Sequence, residues 1–513
     1  MRCVSAFLLM FLLVLWSSCR SDFESEEFSG KLKFSRDTVF LDTVFSNLST
    51  STYALKVYNL SNEDIHIPEL GLKNGENSMY RLNVDGIPGK IFENIEILAR
   101  DSIYIFIETT VSAATFEAEE FLYLDLLQFR SKNHVQEVPL VTLVKDAIFL
   151  FPAKDAQGFS ETISIGENAE GKPQEVTGFY LPEQRLKFTA NKAYVIYGYA
   201  AVPKDETLVV EAGARIHFHE NSGILVPEGA SIQVKGELSM NPAEMEKEVI
   251  FEGDRLQGAF AELPGQWGAI WLRPGSKNNL FQNTTIKNAS VGILVEGNTN
   301  SLIPLQLHNV QIYNSAISGI LAENADISGK NLVINRSGRA SLHLTGGKHS
   351  FIHATIVNYW QQNFRDYPAL FLENNTTEKA APLEAAFYNS IIFGNEKKEL
   401  GFNIDEEVEY DLRFSHSLIK FNSSGENAAW FDFSNENIYS GILINQEPLF
   451  INASENDLRL KELSAAIDRG APEFGAQVPL DISGNDRTSA PDLGAYEFKE
   501  DAGIKKAARK SLF

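Results

Sequence analysis

Six copies of a short phrase recur along residues 283–419 at intervals suited to a stack of similar units. Each copy begins with asparagine or histidine and reaches isoleucine three residues later: Asn283-Thr-Thr-Ile286, Asn309-Val-Gln-Ile312, Asn331-Leu-Val-Ile334, His353-Ala-Thr-Ile356, Asn389-Ser-Ile-Ile392 and His416-Ser-Leu-Ile419. Successive copies begin about 26, 22, 22, 36 and 27 residues apart, a period typical of repeat architectures. Because the phrases are short and rich in Ile, Val and Thr, we predict stacked β-coils, with the polar stretch 363–379 in the longest step bulging out as a loop.

Stacking explains why the same residue types return. In a parallel β-helix each coil lies about 4.8 Å above the last, so equivalent side chains form columns. Isoleucines in a column bury one another, and an amide or imidazole at a tight turn can hydrogen-bond its equivalents above and below. We therefore predict a structural ladder of Asn283, Asn309, Asn331, His353, Asn389 and His416. Metal ligation by the histidines is the alternative, but the sequence offers no set of three or four converging zinc ligands.

A second recurrence follows each phrase and places acidic residues at matching positions. Its copies are Gly292-Ile-Leu-Val-Glu296, Gly319-Ile-Leu-Ala-Glu323, Ser341-Leu-His-Leu-Thr345 and Ala369-Leu-Phe-Leu-Glu373. We expect Glu296, Glu323 and Glu373 to share a column, with the first two about 5 Å apart. Carboxylates this close share a proton or hold a cation, so the column is a candidate ligand or calcium site with further oxygen donors nearby at Asn298, Asn300, Asn324 and Asp326. A solvated turn without a ligand is the alternative.

Aromatic and acidic residues elsewhere supply further candidates. Three tryptophans near strand ends could stack on sugar rings, with packing in the core or rim as the alternative: Trp267, Trp271 and Trp360. Four aspartates crowd the C-terminal region, where turn chemistry is favoured over an ion site: Asp468, Asp481, Asp486 and Asp492. The sequence contains no phosphate-binding glycine loop, nucleophile elbow, cysteine-based site or HExxH motif.

Length and charge limit the classes of function. The chain has 513 residues, which is long enough for two or three domains with their own cores. Its formal net charge is −23. Nucleic acid requires a basic surface, so the acidic balance argues against a nucleic-acid partner. It also argues against attachment to anionic lipid by charge alone.

The N-terminus predicts a lipid anchor. Arg2 precedes an apolar run, 4–16, that is too short to span a bilayer, and Ser17-Ser18-Cys19 then resembles a bacterial lipobox. We interpret residues 1–18 as a lipoprotein signal peptide and Cys19 as the acylated residue, although Trp16 departs from the usual leucine. An ordinary signal peptide that leaves a free cysteine is the alternative. Residues 19–30 form an acidic tether, which suits either export to the surface or a plain linker.

Strand patterns divide the rest of the chain. Residues 31–146 hold about seven short alternating strands separated by turn clusters, the pattern of an immunoglobulin-like β-sandwich. A mixed connection, 147–195, precedes the stack at 196–450. Residues 451–498 are expected to close the stack by covering its last apolar layer. The polar tail, 499–513, is expected to be mobile, and few helix signals appear, so the sequence predicts an all-β protein.

Five stretches carry a resemblance to a known family: Asp37-Thr-Val-Phe-Leu-Asp-Thr43, Asn83-Val-Asp-Gly86, Tyr197-Gly-Tyr199, Gly265-Gln-Trp-Gly268 and Asp492-Leu-Gly-Ala-Tyr-Glu497. With its order of lipobox, sandwich and repeats, the chain resembles Bacteroidetes-type surface lipoproteins. The resemblance implies a right-handed parallel β-helix (solenoid) preceded by an immunoglobulin-like β-sandwich, at the bacterial outer membrane. It implies no catalytic residues, because the family has no settled activity.

These observations favour a lipid-anchored, surface-exposed protein with a non-catalytic binding or scaffold role, directed at a polysaccharide or a surface protein. The alternative is a polysaccharide lyase or glycoside hydrolase acting along the stack. A hydrolase needs two carboxylates flanking a groove, and the sequence marks neither glutamate of the column as the acid. A lyase needs a base, for which the candidates are Arg273, Lys287, Arg336 and Arg339. No column pairs a recurring basic residue with the acids, so the sequence leans against an enzyme.

Overall fold

A computed structural model describes residues 25–46, 48–111, 120–167, 171–241, 244–298, 302–375, 380–422 and 429–499. Outside the described residues lie the predicted signal peptide, Cys19, Asn300, residues 376–379 of the expected insertion and the tail beyond residue 499. The described chain is all-β apart from one short α-helix, α1 (Pro472–Gln477), and 3-10 turns at Gly75–Asn77, Glu183–Arg185, Gly258–Phe260, Ala429–Phe431 and Ala453–Glu455. It divides into two compact units, residues 1–146 and 147–513.

The first unit contains two sheets. Its strands are β1 (Glu26–Glu27), β2 (Lys33–Phe34), β3 (Val39–Phe45), β4 (Tyr53–Tyr58), β5 (Ile65–Leu72), β6 (Tyr80–Val84), β7 (Ile87–Gly89), β8 (Ile91–Ile97), β9 (Ser102–Thr109), β10 (Glu120–Arg130) and β11 (Val135–Lys145). One sheet has the order β1-β5-β10-β11-β3 with β8 also paired to β5, and the other has the order β2-β4-β9-β6-β7. Most pairs are antiparallel, while β1–β5 and β11–β3 are parallel.

The two sheets share one hydrophobic core. In β9 the side chains of Ile105 and Ile107 are buried, whereas those of Tyr104 and Phe106 are exposed. This alternation is the period-two pattern of a strand with one buried face. Buried residues of the other sheet, such as Leu127, belong to the same cluster.

The second unit is built on one sheet of 26 strands in chain order, followed by a two-stranded sheet. The 26 strands are β12 (Ala147–Leu150), β13 (Thr162–Glu167), β14 (Pro173–Tyr180), β15 (Lys187–Phe188), β16 (Ala193–Ile196), β17 (Tyr199–Ala201), β18 (Thr207–Glu211), β19 (Arg215–Phe218), β20 (Gly223–Val226), β21 (Ser231–Lys235), β22 (Val249–Gly253), β23 (Trp267–Leu272), β24 (Asn279–Lys287), β25 (Ala289–Glu296), β26 (Ile303–Ser315), β27 (Ser318–Ser337), β28 (Leu342–Ile352), β29 (Thr355–Asn358), β30 (Leu370–Glu373), β31 (Leu383–Tyr388), β32 (Ile391–Gly394), β33 (Leu400–Asn403), β34 (Tyr410–Ser415), β35 (Leu418–Ile419), β36 (Tyr439–Ser440) and β37 (Leu443–Ile444). The last two strands are β38 (Phe450–Asn452) and β39 (Asp457–Leu460).

Strands of successive repeats pair in parallel, and the segment expected to be a connection takes part. Within 147–195, β12 pairs with β16, β14 with β17, and β15 with β18. The hairpin of β13 and β14 interrupts this pattern with an antiparallel pair. The repeated pairing therefore begins at β12.

The recurring isoleucines lie in one column. Each is the Cα partner of the next across the parallel sheet: Ile286, Ile312, Ile334, Ile356, Ile392 and Ile419. All six side chains are buried. The predicted alignment of the phrases is confirmed, and residues two dozen or more apart in sequence become neighbours.

The first residue of each phrase occupies a left-handed turn. Its φ lies between 44° and 57° at all six positions. Asparagine enters this region more readily than other residues with a Cβ, which explains why it begins four of the phrases. The side-chain amide of Asn309 donates to Oδ1 of Asn283 (2.9 Å), and that of Asn331 donates to Oδ1 of Asn309 (2.8 Å).

The predicted ladder is not continuous beyond Asn331, because later residues of the chain provide other partners. Asn331 also donates to the carbonyl of Leu480, and Nδ1 of His353 lies 3.2 Å from the carbonyl oxygen of Gly494. The ladder resumes between His353 and Asn389, whose side-chain nitrogens are 3.2 Å apart. At the last phrase, Nδ1 of His416 lies 3.0 Å from the hydroxyl of the neighbouring Ser415.

A column of aromatic rings fills the core near the C-terminal end of the sheet. Ring centroids are 5.1 Å apart for Phe351–Phe387, 5.2 Å for Phe387–Phe414 and 5.3 Å for Phe414–Tyr439, and each pair is stacked. Phe433 packs on Tyr439 at 4.7 Å. Aromatic side chains from 351 to 439 thus stack through the last repeats of the sheet, and Phe433 packs against the final ring.

The segment expected to close the stack packs along a flank of it. We call residues 450–498 the C-terminal strap. Its apolar residues Leu458, Ala466 and Leu493 join a cluster with Val333 and Ile391, which belong to strands well before the end of the sheet. The same cluster includes Leu418 of β35 and Leu443 of β37, so the strap packs along a flank that reaches the last strands of the sheet, where the outward side of the strands is itself apolar and requires a cover.

Candidate functional site

Two rows of side chains run along the solvent side of adjacent parallel strands. We call them together the ladder face. The inner row consists of register partners Trp271, Leu294, Leu321, His343 and Phe371. The outer row consists of register partners Glu296, Glu323, Thr345, Glu373 and Asn403, the first four of which lie two residues after Leu294, Leu321, His343 and Phe371. The expected alignment of Glu296 with Glu323 is therefore present, with Thr345 separating them from Glu373.

Strand alternation places these side chains on the solvent side. In β27 the side chains of Ile320 and Ala322 are buried in the core, so those of Leu321 and Glu323 point the other way. The same alternation applies to the partner strands. Hence apolar and acidic residues face solvent in two parallel rows at the spacing of the strands, about 4.8 Å.

One end of the ladder face is covered. The hairpin of β13 and β14 places Ile163 against Ala201 and Leu225, the residues that precede Trp271 in the inner row. The Arg273 guanidinium binds the Glu296 carboxylate and donates to a carbonyl of the hairpin. It also lies 4.9 Å from the centre of the Trp271 ring. The open part of the face therefore begins at Leu294.

The other end carries a hydrogen-bonded histidine and carboxylate. Nε2 of His343 lies 2.8 Å from Oε1 of Glu373, which also accepts from the Thr345 hydroxyl at 2.8 Å. Oε2 of Glu373 accepts from the Asn403 amide at 3.3 Å. Burial alone would raise the pKa of Glu373, but the bonds from His343 and Thr345 outweigh it, so the pKa lies below its usual value.

Aromatic rings surround this histidine. The ring of Phe371 meets the imidazole of His343 edge-on at 5.0 Å, and Tyr367 lies 6.4 Å from it. The guanidinium of Arg339 lies 5.4 Å from the centre of the Tyr367 ring. Sequence reasoning missed this site. The signal was a polar residue in the phrase Ser341-Leu-His-Leu-Thr345 at a position that holds Leu or Phe in its equivalents.

The described residues give the calcium hypothesis no cluster of carboxylate ligands. Across the described ranges, no three His, Cys, Asp or Glu side chains are grouped so as to hold a metal ion. Two carboxylates of the column have other partners, since Glu296 binds Arg273 and Glu373 binds His343. Asn300, one of the oxygen donors expected nearby, lies outside the described residues.

The three tryptophans do not present open faces to solvent. Trp267 is 1% exposed and stacks in the core on Phe218 at 4.2 Å, because its strand turns this position inward. Trp360 is 6% exposed, with its indole N–H donated to Asn363. Trp271 is partly exposed but carries the Arg273 guanidinium. The prediction that Trp267 and Trp360 are stacking platforms is therefore wrong.

The C-terminal aspartates serve turns. Oδ1 of Asp481 accepts from the backbone amides of Ser483 and Asn485, and Oδ1 of Asp486 accepts from that of Thr488. Asp492 accepts from the backbone amides of Asp468 and Phe498. Asp481 and Asp486 thus show the turn chemistry that the sequence favours, whereas Asp492 also joins two segments 24 residues apart.

No family model matches the chain, and no curated protein matches it. Within the part of the chain that the structure describes, no helix is both long and apolar enough to cross a bilayer.

Proposed function

We propose that residues 196–450 form a right-handed parallel β-helix and that 31–146 form an immunoglobulin-like β-sandwich. The first proposal is supported by the parallel pairing of each strand with its equivalent in the next repeat and by the single isoleucine column. The second is supported by the core shared between the two sheets of the first unit. A crystal structure with left-handed coils in residues 196–450, or with open sheets in place of coils, would contradict the β-helix proposal.

We propose that Cys19 carries the lipid of a Bacteroidetes-type outer-membrane lipoprotein with its mature chain at the cell surface. The support is the apolar run 4–16 followed by Ser17-Ser18-Cys19. We expect metabolic labelling with an alkyne fatty acid to tag the wild-type protein and to be abolished in Cys19→Ala. The control is Cys3→Ala, which changes the cysteine predicted to leave with the signal peptide. Labelling that persists in Cys19→Ala overturns the assignment.

We propose that the ladder face binds an extended polysaccharide without turning it over. The observation that carries this proposal is the pairing of an apolar and aromatic row with a row of hydrogen-bond acceptors along the same strands. Sugar rings offer C–H faces for the first row and hydroxyl donors for the second. Because both rows repeat at the strand spacing, a ligand that itself repeats fits better than one small molecule.

Affinity electrophoresis through gels containing single polysaccharides tests this proposal. We expect the wild-type protein to be retarded by at least one polymer. Glu323→Ala should weaken binding by about tenfold or more, because a carboxylate that accepts hydrogen bonds contributes roughly 1.5–3 kcal/mol. The matched control is Glu384→Ala, which removes an exposed carboxylate of β31 that is paired with Lys348 outside the ladder face. Equal retardation of both variants, or none of the wild type, contradicts the proposal.

A lyase remains the alternative, and one observation favours it. The bond from Glu373 orients the imidazole of His343 in the manner of a general base and its positioning carboxylate. A hydrolase is less well supported, because its acid needs a raised pKa and that of Glu373 is lowered. Release of unsaturated oligosaccharides that disappears in His343→Gln would establish the lyase, whereas retention without product supports binding alone.

A further inference from the structure

The connection between β29 and β30, residues 359–369, borders the ladder face. We call it the Phe364 loop. Its Tyr367 contacts both Phe371 (5.7 Å) and His343 of the inner row. Near its start, the Trp360 indole lies beneath it, bonded to Asn363. The loop therefore forms one rim of the open end of the face.

The loop presents a phenylalanine to solvent. Phe364 is 85% exposed, and the three residues before it, 361–363, are exposed as well. The next residue, Arg365, is 2% exposed. The chain thus turns a charged side chain inward and an aromatic one outward, which reverses the usual preference of the two residue types.

A buried ion pair fixes this arrangement. The Arg365 guanidinium binds both oxygens of Glu399, at 2.7 and 3.0 Å, and Glu399 is 0% exposed. The guanidinium also donates to the carbonyls of Tyr367 and Asn358. Glu399 accepts further bonds from the backbone amides of Glu396 and Ala369, at 2.8 Å each. Both sides of the loop are thereby tied to the neighbouring repeat.

Space for the carboxylate is made by a glycine. A Cβ at Gly394 would lie 2.2 Å from Oε1 of Glu399 and 2.6 Å from the carbonyl oxygen of Asn358. Both of these oxygens accept hydrogen bonds from the Arg365 guanidinium. The absence of a side chain at this position is therefore part of the anchor.

Two unfavourable features coincide in the Phe364 loop. Burying a charged pair removes two ions from water, and apolar residues of similar size would stabilise the fold as well or better. Exposing a phenylalanine forgoes the burial of its ring. A rigid anchor directly beside an exposed aromatic ring is what a contact residue requires, because little conformational freedom is lost when the ligand binds.

We propose that Phe364 is the platform on which one sugar ring of the ligand stacks, and that the ligand is a neutral polysaccharide. This inference rests on the proposed binding function. Of the five residues of the outer row, three are glutamates and none is basic, so the row repels a polyanion such as a polyuronate. Neutral sugar hydroxyls donate to the same carboxylates, and the ring faces pack on the phenyl group.

The test compares Phe364→Ala, Phe364→Trp and Phe159→Ala against gels of a neutral glucan, a neutral mannan, a neutral xylan and a polyuronate. Phe159 is an exposed phenylalanine of the same unit, outside the ladder face. We expect binding to a neutral polymer, a loss of about tenfold in Phe364→Ala, and retained binding in Phe364→Trp and Phe159→Ala. Because Phe364 is exposed, its alanine variant should unfold at the same temperature as the wild type, which separates lost contact from lost folding.

The outcomes separate this inference from the function on which it rests. Binding that is equal in Phe364→Ala and Phe159→Ala removes the stacking role but leaves the polysaccharide face standing. Binding of the polyuronate alone overturns the ligand class. A wild type that binds none of the four polymers overturns the proposed function and this inference together. Flotation with phosphatidylethanolamine vesicles that is lost in Phe364→Ala would identify a lipid surface as the occupant and also overturn the inference.

Discussion

Replacing Arg365 by methionine should lower the free energy of unfolding of the second unit by about 3–5 kcal/mol. The variant leaves the Glu399 carboxylate buried without its cation, since Glu399 keeps only the backbone amides of Glu396 and Ala369 among the bonds described above. A methionine side chain has similar length but cannot donate a hydrogen bond. Urea unfolding followed by circular dichroism measures the loss.

Two further variants test whether the stability lost in Arg365→Met comes from leaving a buried charge unpaired. Lys348→Met breaks an ion pair with Glu384 that is exposed to solvent, so it should change the free energy of unfolding far less than Arg365→Met does. Arg365→Met combined with Glu399→Leu should recover much of the stability, because no buried charge is left unpaired. If Arg365→Met were no more costly than Lys348→Met, the pair would not anchor the Phe364 loop as we describe.

Acid should destabilise the second unit through His349, by about 3 kcal/mol between pH 6.5 and pH 4. The ring is buried between its register partners Ile327 and Ala385, with Nε2 2.8 Å from the Gly346 carbonyl oxygen. Burial lowers the pKa of His349 to about 4. In this pH window the unfolded chain binds a proton at His349 that the folded chain does not, so stability falls as pH falls, and the contribution of His349 changes little further below pH 4.

The measurement is the free energy of urea unfolding at intervals between pH 4 and pH 8. His349→Leu should remove about 3 kcal/mol of the pH dependence and leave the contributions of other groups, among them His353 and His308, whose pKa values burial also lowers. His219→Gln is the contrasting variant, because the hydrogen bond to Asp254 raises the pKa of His219. The stability due to His219 is present at low pH and is lost as pH rises. Parallel curves for the wild type and His349→Leu would refute the assignment.

The repeat could be predicted from the sequence because each copy is marked by the same short run of residues. An isoleucine three residues after each turn residue gave both the strands and their register, and Glu296 was correctly expected beside Glu323. The turn residues were expected to bond in a column, and Asn283, Asn309 and Asn331 do so. Each of these features depends on residues that recur at matching positions.

Contacts between residues of different types in different repeats could not be predicted, because such residues do not recur at matching positions in the sequence. Arg365 and Glu399 are 34 positions apart and occur once, so nothing in the sequence relates them. His343 meets Glu373 across one repeat, and only its contrast with Leu321 at the equivalent position marks it. For Trp267, strand alternation through Ala269 would have indicated an inward position.

The order of synthesis gives the C-terminal strap a second significance. A ribosome completes every strand of the large sheet before it makes residues 450–498, so the nascent chain carries an uncovered apolar flank at Val333 and Ile391 until those residues have been made. A premature stop codon or a protease cut near residue 450 would leave all 26 strands in place and still yield a sticky, aggregation-prone product. Quality control of this protein therefore depends on residues 450–498 being made and docked.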